Sequence, residues 1–178
     1  MFTGAMVRAI LDGRKTQTRR VIKPWTMRLI DDVPAMLLEC PYGVPGDRLW
    51  VRETWCHIGS HSGPETCGKS VQDVRYRADR TEGYVWSPSI FMPRWASRIT
   101  LEVTGVRVQR VQEISEEDAM AEGAFLNVCD WWEFGNGFRG EKTPIGAYRS
   151  LWDTINFKRG FGWSVNPWVW VVEFRRVE

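Results

Sequence analysis

The segment Ile99-Thr100-Leu101-Glu102-Val103-Thr104-Gly105-Val106-Arg107-Val108-Gln109-Arg110-Val111 alternates apolar and polar side chains. A period of two places one set of side chains on a core and the other in solvent, which requires an extended strand. The alternation changes phase at Gly105, which predicts two strands or one strand bent by a bulge. A second long stretch, Trp168 to Val177, is apolar on both faces at its start and reads as a central strand. Arg48 to Trp55 reads as a further strand, with Leu49, Val51 and Glu53 on one face and Trp50, Arg52 and Thr54 on the other. A carboxylate ending an apolar face is a mild site signal, and an edge salt bridge is its commoner cause. Val74 to Ala78 is a candidate short strand inside the polar stretch 57–83.

Helix signals are short and scattered. Thr3 caps a helix over residues 5–12, with Phe2 as a staple and Met6, Ala9 and Ile10 on one face. Gly13 sits where a left-handed residue ends that helix. Ser115 opens a second helix, with Asp118 at the reciprocal capping position and Gly123 at its end. Thr143-Pro144 starts a third, striped by Tyr148, Leu151, Trp152 and Ile155. Residues 25–40 show no period, Tyr42 to Asp47 form a turn by composition, and 126–142 read as a loop. Three short helices and about five or six strands, without strand–helix alternation, predict a small mixed barrel or α+β fold and exclude a doubly wound sheet.

A length of 178 residues suits one domain, or one with a long insertion. With 43% apolar and 26% charged residues the chain can build a core. No apolar run approaches the ~20 residues that span a bilayer, and the N-terminus lacks the order of a signal peptide. A cytoplasmic protein with no membrane partner is expected. Net charge is only +2, so any nucleic-acid site must come from local clustering. Eleven tryptophans must pack a core or line a groove, the core being the commoner use. Cys40, Cys56, Cys67 and Cys129 lack paired spacing and read as free thiols. Cys56, His57, His61 and Cys67 are ligand types for zinc, but adjacent Cys56 and His57 are awkward as joint ligands. The cluster reads as a surface loop, and no metal or cofactor is expected.

Chemistry concentrates between Gly13 and Lys23. Basic Arg14, Lys15, Arg19, Arg20 and Lys23 are interleaved with Thr16, Gln17 and Thr18. Three uses are open: a solvated loop favoured by the helix dipole, a phosphate-binding patch, or catalysis. For the third, a helical or tight-turn segment sets Lys15 and Thr18 on one face. A lysine depressed by burial and by Arg19 or Arg20 can accept a proton, and a neighbouring hydroxyl is then a nucleophile.

The pattern Gly13-x-Lys15-x-x-x-x-Arg20 resembles the signature of the ASCH domain, within the PUA-like superfamily. Pro45-Gly46-Asp47-x-Leu49 is similar to that family's turn into a barrel strand, and Trp170 to Phe174 to its closing strand. The wording of these segments further resembles a phage or prophage-type subgroup. The resemblance runs from about residue 6 to the C-terminus of a single 1–178 domain, with insertions expected at 56–98 and 124–142. It implies a β-barrel with short helices over its openings, a cleft beside the first helix, and handling of RNA, DNA or a modified nucleoside.

In small bacterial members of that family a lysine, a threonine and a glutamate remove the acetyl group of N4-acetylcytidine by amide hydrolysis. Those positions fall on Lys15, Thr18 and Glu122. Other members carry an acidic residue where Thr18 stands, and this chain is far longer than those hydrolases. The implied roles are Lys15 as base, Thr18 as nucleophile, Glu122 as the group orienting Lys15, and Arg20 or a backbone N–H at the oxyanion. Substrate-binding candidates are Gly13, Arg14, Arg19, Arg20, Trp50, Arg52, Glu53 and Trp55. The alternatives are a non-catalytic RNA- or DNA-binding module with stacking by Trp50 or Trp55, a metal-independent ribonuclease, or a phage assembly protein. From the residues alone, Glu122 before a helix-ending glycine reads as an ordinary exposed carboxylate, and Thr18 as a residue satisfying backbone groups.

Overall fold

The computed structural model describes residues 2–22, 40–58, 73–80, 82–135 and 140–177. Lys23, His61 and Cys67, and almost all of the unpatterned 25–40 stretch, lie outside the described residues. The fold is mixed α+β, built on a curled antiparallel sheet. Its strands are β1 (Gln17–Val21), β2 (Arg48–Trp50), β5 (Thr100–Arg110) and β8 (Trp168–Arg176), in the order β1-β8-β5-β2. Two small ribbons stand beside it, β3 (Trp55–His57) with β4 (Val74–Tyr76) and β6 (Phe125–Leu126) with β7 (Trp132–Glu133). The helices are α1 (Gly4–Leu11), α2 (Glu116–Ala121) and α3 (Pro144–Asn156). No described helix is long and apolar enough to cross a membrane.

The alternating segment forms one strand, β5, whose register against β8 slips between Val103 and Gly105. A side chain at Gly105 would begin 2.7 Å from the Glu173 carboxylate, so glycine lets the bulged strand lie under that group. β8 is central, paired on both edges, and Val169, Trp170, Val171 and Val172 are buried. One face of the sheet takes α3, where Tyr148, Leu151 and Trp152 pack with Val111, Val169 and Val171. Val7 and Ile10 of α1 pack with Ile99, Leu101 and Phe174.

Four expectations are revised. Gly13 to Arg20 is not wholly a loop or a helical turn, because residues from Gln17 form strand β1 against β8. Its burial alternates through Gln17 and Arg19, polar types that hide a strand period from a hydrophobicity reading. Arg48 to Trp55 is not one strand, since β2 pairs with β5 and β3 pairs with β4. The chain leaves the sheet between them, where buried Glu53 pairs with Arg98. The stretch 126–142 is not wholly loop, because it holds β7 and a bridge from Trp132 to Glu141. Likewise Cys56 is a buried strand residue and not part of a surface loop, and His57 stands beside it on β3, edge-on to Trp95. Cys40, Cys56 and Cys129 are free thiols.

Candidate functional site

The site is assembled from three chain ends that meet. Thr3 caps α1 by accepting from the Met6 N–H, and α1 stops at Gly13 with φ +74°. Ser115 caps α2 by accepting from the Asp118 N–H, and α2 stops at Gly123 with φ +106°. A Cβ on Gly123 would sit 3.2 Å from the Ala9 Cβ and 3.4 Å from the Lys15 Cβ, so glycine lets the ends of α2 and α1 touch. The strand-entering turn is held between them. The Lys15 N–H donates to Ala9 O at 2.9 Å, the Thr16 N–H to Ala121 O at 2.8 Å, and Thr16 O accepts from the Phe174 N–H at 2.7 Å. This backbone clamp aims Lys15 inward.

Lys15 is 2% exposed and Glu122 is 4% exposed. Lys15 Nζ donates to Glu122 Oε2 at 2.7 Å, Gln17 O at 2.8 Å and Glu122 O at 2.9 Å. All three ammonium protons are therefore used. Burial lowers the Lys15 pKa, with Arg20 and Arg19 acting in the same direction and Glu122 opposing them. The exposed carboxylate expected at position 122 is thus an interior group. The helix end that would have left it in water is packed against α1.

Arg19 extends the network. Its side chain is fully buried, donating to Glu122 Oε1 at 3.3 Å and Asp118 Oδ2 at 2.5 Å, while its Nε has no hydrogen-bond partner. Arg107 donates to both Asp118 oxygens at 3.0 Å and pairs with Glu173. Burial alone raises the Asp118 pKa, but the Arg19 charge, with help from Gln17 and Arg107, brings it below the ordinary value.

A cleft of about 360 Å³ opens beside this network and α1. Thr18, Arg19 and Arg20 of β1 line it together with Glu122, so the strand part of the basic segment faces a hollow. Met6, Leu151 and Trp152 supply apolar wall, and Tyr148 and Arg159 face the same space. Burial, reinforced by Glu122, holds the Tyr148 pKa well above its ordinary value, so its phenol keeps its proton. Lys15 does not itself line the cleft and is bonded to Glu122, which does.

The other sequence candidates lie elsewhere. Arg14 turns away, donating to Asp12 at 2.8 Å and sitting 4.8 Å from the Phe125 ring centroid. Arg52 stacks on Trp50 at 4.6 Å, Trp55 packs edge-on to Trp95, and none of these lines the cleft. Glu53 receives two bonds of 3.0 Å from Arg98, which also holds Asp79. Burial raises the Glu53 pKa, and the Arg98 bonds oppose that. The sequence reading missed Arg107, Arg159 and Asn156, and took Tyr148 and Trp152 only as a packing stripe. Asp118 was legible as a cap partner, but its side-chain role depends on strands distant in sequence. Among the described residues no His, Cys, Asp and Glu are grouped to hold a metal ion.

No family model and no curated protein matches the chain. Among solved structures, the backbone is similar to a crystal structure of an ASCH domain from Lactobacillus crispatus JV V101. The TM-score is 0.45 at 14% identity, covering 97% of this chain and 70% of that one.

Proposed function

We propose that the cleft binds a nucleoside, free or within a nucleic acid, and that Lys15, Thr18 and Glu122 hydrolyse an acyl amide on its base. The observation that carries this reading is the placement of Glu122. Glu122 lines the same cleft as Thr18, and its carboxylate is bonded to a buried lysine whose pKa is lowered.

The chemistry follows from donor counting. Neutral Lys15 keeps two protons for three acceptors, so one acceptor is released and a lone pair becomes available. The amine takes the Thr18 hydroxyl proton as Oγ1 attacks the acyl carbon, and the carbonyl pair moves onto oxygen. Collapse expels the base nitrogen, which takes the proton from the Lys15 ammonium. Water then attacks the threonyl ester and gives its proton to Lys15. The proton returns to Thr18 Oγ1 as the free acid leaves. The Glu122 carboxylate holds the ammonium in each half-reaction. The protonated Tyr148 phenol, beside Arg20, is a cleft donor for the oxyanion.

Incubation with N4-acetylcytidine, read by chromatography, is expected to yield cytidine and acetate. Thr18→Ala is expected to lose about 10²-fold or more in kcat/KM while keeping its circular-dichroism spectrum. Failure to deacylate any acylated nucleoside, or full activity in Thr18→Ala, overturns the assignment.

A further inference from the structure

We infer that the ligand carries a phosphate, held between Arg20 of β1 and Arg159 in the turn after α3. This rests on the nucleoside reading of the cleft and names the charge state of its ligand. Among the described residues, four charged ones line the cleft: Arg19, Arg20, Glu122 and Arg159. Glu122 is engaged by Lys15 and Arg19, and Arg19 by Glu122 and Asp118.

Among the described residues the two remaining arginines have no counter-charge. Among the described residues neither the Arg20 nor the Arg159 side chain forms an ion pair or hydrogen bond, and the Arg20 guanidinium lies over the Phe2 ring, 5.4 Å from its centroid. They come from separate elements, yet both border one hollow of about 360 Å³. Two like charges confined to one hollow repel each other, and an anion between them removes that cost. Guanidinium forks match phosphate oxygens in pairs. The buried Arg19 Nε, without a partner, adds to the positive potential of the same wall.

The rest of the lining divides the space. Leu151, Trp152 and Phe161 offer an apolar surface for a flat ring, and Arg159 stands three residues beyond Asn156, at the end of that wall. A ligand with an aromatic base at one end and an anionic group at the other fits both halves. The volume lies in the range of small-ligand sites.

Isothermal titration of the full chain with cytidine, cytidine 5′-monophosphate and inorganic phosphate, at constant ionic strength, tests the subsite. The monophosphate is expected to bind at least about tenfold tighter than cytidine, with the advantage shrinking as salt rises. Arg159→Gln and Arg20→Gln, each checked for native circular dichroism, are expected to bring the ratio of the two affinities towards one. Equal affinities for cytidine and its monophosphate overturn the subsite and leave the nucleoside reading standing. Binding of phosphate without cytidine supports the subsite and overturns the nucleoside reading. No binding of any of the three overturns both, and an unchanged ratio in both variants overturns the assignment to these arginines.

Discussion

Lys15→Met removes the cation at the centre of the network and leaves its partners in place. Three acceptors lose a donor: Gln17 O, Glu122 O and Glu122 Oε2, at 2.8, 2.9 and 2.7 Å. An unsatisfied buried carbonyl costs about 1–3 kcal/mol. A buried carboxylate that loses its ion-pair partner brings the total to about 3–5 kcal/mol. Arg19 still touches Glu122 at 3.3 Å, and the desolvation cost of Lys15 is relieved, so the lower half of that range is expected. At about 2–4 °C per kcal/mol for a chain this long, melting should fall by roughly 6–16 °C. Urea unfolding followed by circular dichroism measures the effect, with Glu122→Gln and the double variant completing the cycle. The double variant should be less destabilised than the sum of the singles by about 0.5–3 kcal/mol. A Lys15→Met protein within about 0.5 kcal/mol of the parent, or strictly additive variants, refutes the claim that the pair is a buried coupled unit.

Gly123→Ala is expected to cost about 1–3 kcal/mol in urea unfolding, since φ is +106° and the new Cβ meets Ala9 and Lys15. Gly13→Ala faces open space at φ +74° and should cost less; the reverse order would undo the packing argument for the α1–α2 junction. The Asp118 pKa is depressed in the fold, so its contribution is complete above the ordinary aspartate value of about 3.9 and is lost as pH falls through the lower folded value. Asp118→Asn should flatten that part of the acid-unfolding curve, and an identical acid slope in the variant counts against the network. If neutral Lys15 is the base, kcat/KM should rise with pH to an inflection below the ordinary lysine range, because burial disfavours the charge. A profile flat across that range contradicts the role.

The outline of the fold was written in local signals. The Thr3 and Ser115 caps, the Thr143-Pro144 start and the Gly105 phase change each act within a few residues, and each is where the sequence puts it. Strand β1 was hidden because its inward residues are Gln17 and Arg19, buried only when Asp118 and Glu122 arrive from α2. Burial of Glu122 likewise depends on Gly123 allowing two helix ends to touch, a condition no window around residue 122 contains. The resemblance brought Lys15, Thr18 and Glu122 into one hypothesis; Thr18 and Glu122 line one cleft, and Lys15 is bonded to Glu122. Trp50, Arg52, Glu53 and Trp55 were chosen by residue type, and type does not say which hollow a side chain borders. Arg159 carried no signal, since its place depends on how the turn after α3 folds back towards β1.

The central claim is that Thr18, backed by Lys15 and Glu122, is the group that attacks. Rapid acid quenching of the protein with excess N4-acetylcytidine, followed by peptide mass spectrometry, tests it directly. The account expects an acetyl increment on the peptide holding Thr18, localised to its hydroxyl and absent from Thr18→Ala. Turnover with acetyl found on another residue, or persisting unchanged in Thr18→Ala, contradicts it.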